Sequence, residues 1–213
     1  MEYKNFNNMP LQEFIKICKN GQAKEKLGLG GNRTIELYTG EKVNISICGF
    51  NHDVKEDGTK SNVTLVFDFP IDGEFQMNNE WSNIGGWNDS YMNNVLMPRF
   101  FRLLPKELQD AIVLVKKKTS IGGDKQKIKT TLNNLFLLSE IEANGTIDYS
   151  LKGEGKQYEL FKKDPEKVRC GKWYWLRSPY SGNDTYFCYV YSNGYVHTYG
   201  ASATYCVRLA FCL

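Results

Sequence analysis

The stretch that decides the fold lies near the C-terminus: Trp173-Tyr174-Trp175-Leu176-Arg177-Ser178-Pro179, then Tyr180 to Cys206, then Val207-Arg208-Leu209-Ala210-Phe211. The 27 residues from Tyr180 to Cys206 contain no Lys, Glu, Gln, Trp or Met, although these five types make up 50 of the other 186 residues. At that frequency about seven would be expected. The same window holds seven of the thirteen tyrosines. Ser192-Asn193-Gly194 is a hairpin turn signal between two runs rich in Tyr, Val and Thr. With Val190 and Val196 facing inward across it, strand alternation sends Tyr189, Tyr191, Tyr195 and His197 to the opposite face. Tyr, Ser, Gly and Asn together are the mixture that recognition loops use, because a phenol offers much contact area at low entropic cost and one hydroxyl. A plain aromatic hairpin is the competing reading, since Tyr and Thr favour strands.

Working outward, the chain has 213 residues, 41% hydrophobic and 24% charged, with 27 basic against 24 acidic side chains. That is enough for a sizeable core, and the balanced charge gives no reason to expect nucleic acid as a partner. No apolar run is long enough for a membrane span. The segment Met1-Glu2-Tyr3-Lys4-Asn5-Phe6 has no apolar stretch of the signal-peptide kind. The expected location is therefore the cytoplasm as synthesised, with virion association or display through another protein as the later route. The six cysteines, Cys18, Cys48, Cys170, Cys188, Cys206 and Cys212, form no C-x-x-C pair and the only histidines are His52 and His197. Zinc-type spacing is absent, so reduced, partly buried thiols and no metal or cofactor are expected.

The period of apolar residues places the elements. Leu11, Phe14, Ile15 and Cys18 give one helical stripe, capped by Asn8 with Pro10 in the first turn and ended near Gly21. Gly28-Leu29-Gly30-Gly31 lacks the Lys-Ser/Thr of a phosphate loop and reads as a turn. Thr34 to Tyr38 and Lys42 to Phe50 form a hairpin, Asn62 to Phe69 a further strand, and His52 to Ser61 a loop. Asn88, Asp89 or Ser90 caps a helix towards Phe101, and Pro105 opens another over Glu107 to Ala111. Ile112 to Val115 is expected to leave the core as a strand whose Lys116-Lys117-Lys118 is a solvated edge. Leu135 to Leu138 reads as a strand, Ser139 with Glu142 as a capping box, and Gln157 to Lys163 as a short helix. Strands before and after a helical middle indicate an α+β fold with short helices, an antiparallel sheet and adjacent terminal strands. Residues 1–33 form an N-terminal helix and turn packed on one domain of residues 34–213.

These residues resemble a known family. Trp-x-Leu-Arg-Ser-Pro, an Asn/Ser/Tyr-rich hairpin with a Ser-x-Gly turn and a final Val-Arg-x-Ala are similar to a widespread bacterial and phage domain family of unknown function. The likeness extends through Trp87-Asn88-Asp89-Ser90, Phe100, Leu104-Pro105 and Leu135-Phe136-Leu137-Leu138-Ser139-Glu140, with Leu209 standing where the family usually has Pro. The resemblance implies the C-type-lectin-like fold of formylglycine-generating enzymes. Some members look like variable proteins of diversity-generating retroelements, in which Asn codons diversify into codons ending in a pyrimidine. Such codons encode none of the five missing residue types, so residues 180–206 would be the variable region.

On this reading the contacts to an unknown protein or cell-surface ligand are Tyr180, Asp184, Tyr186, Tyr189, Tyr191, Tyr195, His197, Tyr199, Ser202, Thr204 and Tyr205. Trp173, Trp175, Leu176 and Arg177 are scaffold, and Arg177 and Arg208 hold loops through carboxylate or carbonyl bonds. Cys188 and Cys206 fit diversified positions. No catalytic residue is expected. The alternatives are a formylglycine-generating-type oxidase, for which Cys206 and Cys212 lack a surrounding motif, and a calcium lectin, which needs more carboxylates than Asp184.

Overall fold

Alternating and fully apolar runs fold here into thirteen short strands among the described residues, with brief helices between them, several of which end at or near Gly, Pro or Asn. The computed structural model describes residues 2–123, 125 and 127–213. In chain order the elements are α1 (Leu11–Lys19), α2 (Ala23–Lys26), β1 (Asn32–Glu36), β2 (Lys42–Phe50), β3 (Val54–Lys55), β4 (Val63–Phe67) and β5 (Ile71–Gln76). They continue with α3 (Gly86–Asp89), a π-helical turn (Met92–Leu96), α4 (Met97–Phe101), α5 (Lys106–Ala111), β6 (Val115–Ser120), β7 (Ile128–Asn133) and β8 (Leu135–Phe136). The last third holds α6 (Glu140–Asn144), α7 (Glu159–Lys163), a 3-10 turn (Pro165–Val168), β9 (Tyr174–Pro179), β10 (Tyr186–Val190), β11 (Val196–Gly200), β12 (Thr204–Val207) and β13 (Ala210–Cys212).

The strands make three sheets, ordered β1-β2-β4-β13-β8, β11-β10-β9-β12-β5 and β3-β6-β7. The pairings are antiparallel except β12 beside β9, where Cys206 meets Tyr174 in parallel register. The molecule is therefore α+β, mostly sheet with short helices. The terminal strands are not neighbours as expected: β13 pairs with β4 and β8, and β2 and β4 lie between it and β1. One contiguous buried cluster runs from Phe14 to Leu213. The N-terminal segment joins it through Phe14, Ile15, Ile17 and Cys18 of α1, and Asn5 bridges to Asn32 at the start of β1.

Local chemistry accounts for the departures. α1 starts after Pro10 without a side-chain cap from Asn8. The helix expected towards Phe101 is split; the Ser90 hydroxyl accepts the Asn93 N–H and caps the second piece. Its π-helical turn precedes Pro98, which has no N–H to continue the regular ladder. β3 lies inside the expected loop. β5 was not legible: as an edge strand with Gly73 at φ +103° and three exposed residues, Asp72-Gly73-Glu74, it lacks alternation. The capping box of Ser139 and Glu142 is present.

The largest correction concerns the lysine triplet. β6 is the central strand of its sheet, and Lys117 turns into the core, 2% exposed. Its ammonium lies 2.6 Å from Asp53, 2.7 Å from Glu142 and 3.1 Å from the Tyr158 hydroxyl. Asp53 also accepts from Thr64 at 2.6 Å and Tyr158 at 2.9 Å. Burial alone would raise the Asp53 carboxyl, but the Lys117 charge and hydrogen bond and the Thr64 hydroxyl outweigh it and hold it low. Burial likewise opposes ionisation of Glu142, which Arg177 and Lys117 overcome. Arg177 spends its guanidinium on Glu142, on Thr119 Oγ1 at 3.0 Å and on the carbonyls of Leu137 and Glu154, both at 2.8 Å. Arg208 donates to the Phe67 carbonyl at 2.7 Å and the Val168 carbonyl at 3.2 Å. Both arginines hold backbone, as expected of them.

Glu154 forms no ion pair among the described residues. Its carboxyl accepts the Ser120 N–H at 2.8 Å and bonds the Ser178 hydroxyl, and burial pushes its pKa up to about 7 against those two bonds. A folded pKa above the unfolded value stabilises the fold fully below about pH 4.5, and that contribution is lost as the pH rises through 7.

Two outcomes are expected. Lys117→Met leaves Asp53 and Glu142 without their cation and costs roughly 3–5 kcal/mol in thermal melts at pH 7. The deficit narrows at pH 4, where Asp53 takes up a proton; an equal deficit at both values would show that lost packing dominates. Glu154→Gln keeps both hydrogen bonds without a charge, so its stability relative to the parent rises between pH 5 and pH 8 by roughly 3 kcal/mol. A constant difference over that range would mean the Glu154 carboxyl is ionised throughout.

Candidate functional site

The face of β9 to β12 that points away from the buried charges is built from rings. Val190 and Val196 pair across the Ser192-Asn193-Gly194 turn and are buried, as the alternation requires. Tyr189 pairs with His197 across the hairpin and with Trp175 across β9. Successive ring contacts then form one group: Tyr189 with Tyr205 at 4.7 Å and Tyr191 at 5.0 Å, and Tyr191 with His197 at 5.7 Å. Tyr199 lies 6.0 Å from Tyr205 and 6.3 Å from Tyr186, and Tyr186 is 6.5 Å from Tyr180. Such pairs contribute about 0.5–1.5 kcal/mol each beyond burial.

Exposure sorts the eleven candidate residues. Asp184, Tyr195, His197, Tyr199 and Thr204 are exposed; Tyr180, Tyr186, Tyr191, Ser202 and Tyr205 are half-buried. Tyr189 is the correction: it is only 2% exposed, roofed by Trp173, Tyr191 and Tyr205 over Trp175. Burial, with the neighbouring Tyr191 and Tyr205 phenols, pushes its hydroxyl well up. Tyr195 stands at the hairpin tip, 70% exposed, with no ring partner among the described residues. Asp184 is set apart from the ring group, lining a hollow with Lys127 and Lys129. Thr204 donates to Glu74 at 3.3 Å, at the rim of a groove of about 480 Å³ that Trp173, Tyr205 and Lys172 also line.

Two further expectations change. Trp173 is 43% exposed and packs edge-on against Tyr191 at 4.9 Å, so it belongs to the ring face rather than the scaffold. Trp175, Leu176 and Arg177 are wholly buried, as scaffold should be. Cys188 is wholly buried and Cys206 7% exposed, so neither is a surface position. All six cysteines are free.

Residues outside the 180–206 window help to place the rings, and the sequence assigned none of them that role. Asn83 is buried; its amide donates to the carbonyls of Asn183 at 3.0 Å and Tyr186 at 2.8 Å, and its own N–H bonds the Asp184 carbonyl at 2.7 Å. The Asn183 side chain closes the same loop on the N–H groups of Thr185 and Tyr186. Glu140, also buried, accepts the N–H groups of Asp148, Tyr149 and Ser150, which sets the Tyr149 ring 6.0 Å from Tyr180 and 5.7 Å from His197. Trp81 lies against Tyr186 and Tyr199 and covers Gly200, where a Cβ would stand 2.3 Å from the indole. Trp81 is 51% exposed, and a lone Trp in the polar run Asn78-Asn79-Glu80-Trp81-Ser82 was the one signal available for it. Asn83 and Glu140 carry no such signal.

Fold and site together define an α+β protein whose β11-β10-β9-β12-β5 sheet carries a ring-covered face. Over residues 61–213 the sequence matches the family described as Domain of unknown function (DUF6273), and the chain belongs to that family. No match was found among curated proteins or among solved structures. No helix among the described residues is long and apolar enough to cross a membrane.

The difference between Tyr189 and Tyr195 is measurable. Tyr189→Ala removes a roofed ring and is expected to cost roughly 3–5 kcal/mol in urea unfolding. Tyr195→Ala should stay within about 0.5 kcal/mol of the parent. Equal costs would mean that Tyr189 is not packed as described.

Proposed function

We propose that the ring face is the ligand-binding surface of a diversity-generating-retroelement variable protein on a C-type-lectin-like scaffold, and that its ligand is a protein or cell-surface molecule. The observation that carries this reading is an overlap of composition and position. The segment that lacks Lys, Glu, Gln, Trp and Met also supplies most of the rings on the outward face, ten of the eleven candidates keeping some exposure, while Trp81, Tyr149 and Trp173 join them from outside it. Asn83, which holds the carbonyls of Asn183 and Tyr186, and Glu140, which holds the neighbouring Tyr149 loop, lie outside that segment. Rigid aromatic area, hydroxyls and few charges suit recognition of varied protein surfaces.

The thiols support a binder over an oxidase. Burial raises the pKa of Cys18 to about 12 and also raises Cys48, Cys170, Cys188, Cys206 and Cys212, so none is an activated thiolate.

The test has a genetic and a physical arm. The locus is expected to encode a reverse transcriptase beside a near-identical template repeat, with Asn codons opposite the ring positions; a locus with neither removes the retroelement reading. A library randomised at Tyr180, Asp184, Tyr186, Tyr191, Tyr195, His197, Tyr199, Ser202, Thr204 and Tyr205 with pyrimidine-ending codons is expected to keep Tm within a few degrees for most clones. General unfolding of the library would show that the rings are structural.

A further inference from the structure

We propose a second site, independent of the ring face: the groove between the β3-β6-β7 sheet and the loop of residues 152–157 binds a small polyanion through its phosphate groups. The groove encloses about 590 Å³, the size of a small-ligand site. Lys60, Lys116, Lys118 and Lys156 line it, and none of the four forms an ion pair among the described residues. Lys60, Lys118 and Lys156 are exposed and Lys116 is half-buried.

The groove's acids do not neutralise them. Asp53 and Glu142 are committed to Lys117 and Arg177, and Glu154 spends its carboxyl on Ser120 and Ser178. Glu159 is the exposed acid at the rim. Four lysines lining one concavity against the single uncommitted acid Glu159 leave a local excess of positive charge, and lysines act on phosphate as point charges.

The loop adds a second feature. In Lys152-Gly153-Glu154-Gly155-Lys156-Gln157 no backbone N–H donates a hydrogen bond within the described structure. Gly153 and Gly155 sit at φ +107° and +130°, conformations open to glycine. Gly155 packs so closely on Glu142 that a Cβ would lie 2.7 Å from its carboxylate. Unpaired N–H groups beside unpaired lysines are what an anionic ligand satisfies. His52, stacked on Tyr158 at 4.0 Å, and Thr130 supply neutral polar groups at the wall.

Calorimetric titration of the full chain with inorganic tripolyphosphate tests the site. Saturable one-to-one binding that weakens with added salt is expected. The triple variant Lys116→Gln/Lys118→Gln/Lys156→Gln should lose at least tenfold in affinity at unchanged Tm, with Lys118→Gln alone as the milder probe. Lys162→Gln/Lys163→Gln, on exposed residues of α7, should bind as the parent does. Adenosine triphosphate should compete for the same site, and its affinity relative to tripolyphosphate tells a nucleotide from an inorganic source. Absence of saturable binding, or equal losses in the groove and α7 variants, overturns the proposal.

Discussion

Four charges removed from water hold this molecule together. Lys117 comes from the β3-β6-β7 sheet, Arg177 from the ring-bearing sheet, Glu142 from α6 and Asp53 from the loop before β3, where Thr64 of the β1-β2-β4-β13-β8 sheet also grips it. Each sheet thus contributes a partner to one network, and the last strand reaches it too, with Cys212 Sγ 3.5 Å from Asp53. Such a network is weak evidence of net stability, because desolvation consumes most of the attraction. What it supplies is an arrangement with no equivalent alternative: any slip of one sheet against another strands a buried charge. Register between sheets is fixed by that penalty more than by apolar packing, which would accept neighbouring offsets.

The network also explains why the ring face can differ in character from the interior. Arg177 leaves β9 towards Glu142, while Trp175, two residues earlier and next to the register irregularity in the β9–β10 pairing, packs on Tyr189 and Tyr205. The sheet therefore separates two layers, one of satisfied charges and one of rings. Loops that carry the outer rings are pinned by buried amide and carboxylate groups, Asn83 and Glu140, through main-chain hydrogen bonds. Main-chain bonding does not depend on which side chain follows, so apart from Asn183, whose own amide oxygen closes its loop, loop shape depends little on loop sequence.

Much of the fold was legible because its signals are local. The β1–β2 hairpin, β4, the capping box at Ser139 and the Ser192-Asn193-Gly194 turn each follow from short-range rules, and the structure contains them all. Lys117 was misread because three successive lysines look alike in sequence, whereas strand alternation buries the middle one only if β6 is central, a fact of topology. β5 escaped because an edge strand with one wet face needs no apolar alternation. On the ring face, the composition of residues 180–206 located the window, but not the depth of each ring. Tyr189 is sunk because Tyr205 of β12 and Trp173, just ahead of β9, close over it, and Trp173 is raised because it precedes β9 rather than lying within it.

A ring-covered face can be rebuilt only if stability does not reside in it. A domain of this kind has about 5–15 kcal/mol to lose. Exposed pairs at about 0.5–1.5 kcal/mol each could exhaust that margin if many were removed together and nothing replaced them. Two features keep the loss small: tip residues such as Tyr195 bury little, and Trp81, Tyr149 and Trp173, supplied from outside the window, remain as neighbours for whatever rings or methyls stand at the changed positions. Tyr189 marks the limit of that tolerance, since its volume supports the rings above it and a small residue there would leave a hole that three elements border. Within one strand, then, β10 carries a fixed position, Tyr189, and an adjustable one, Tyr186, and what separates them is how much of the chain closes over each.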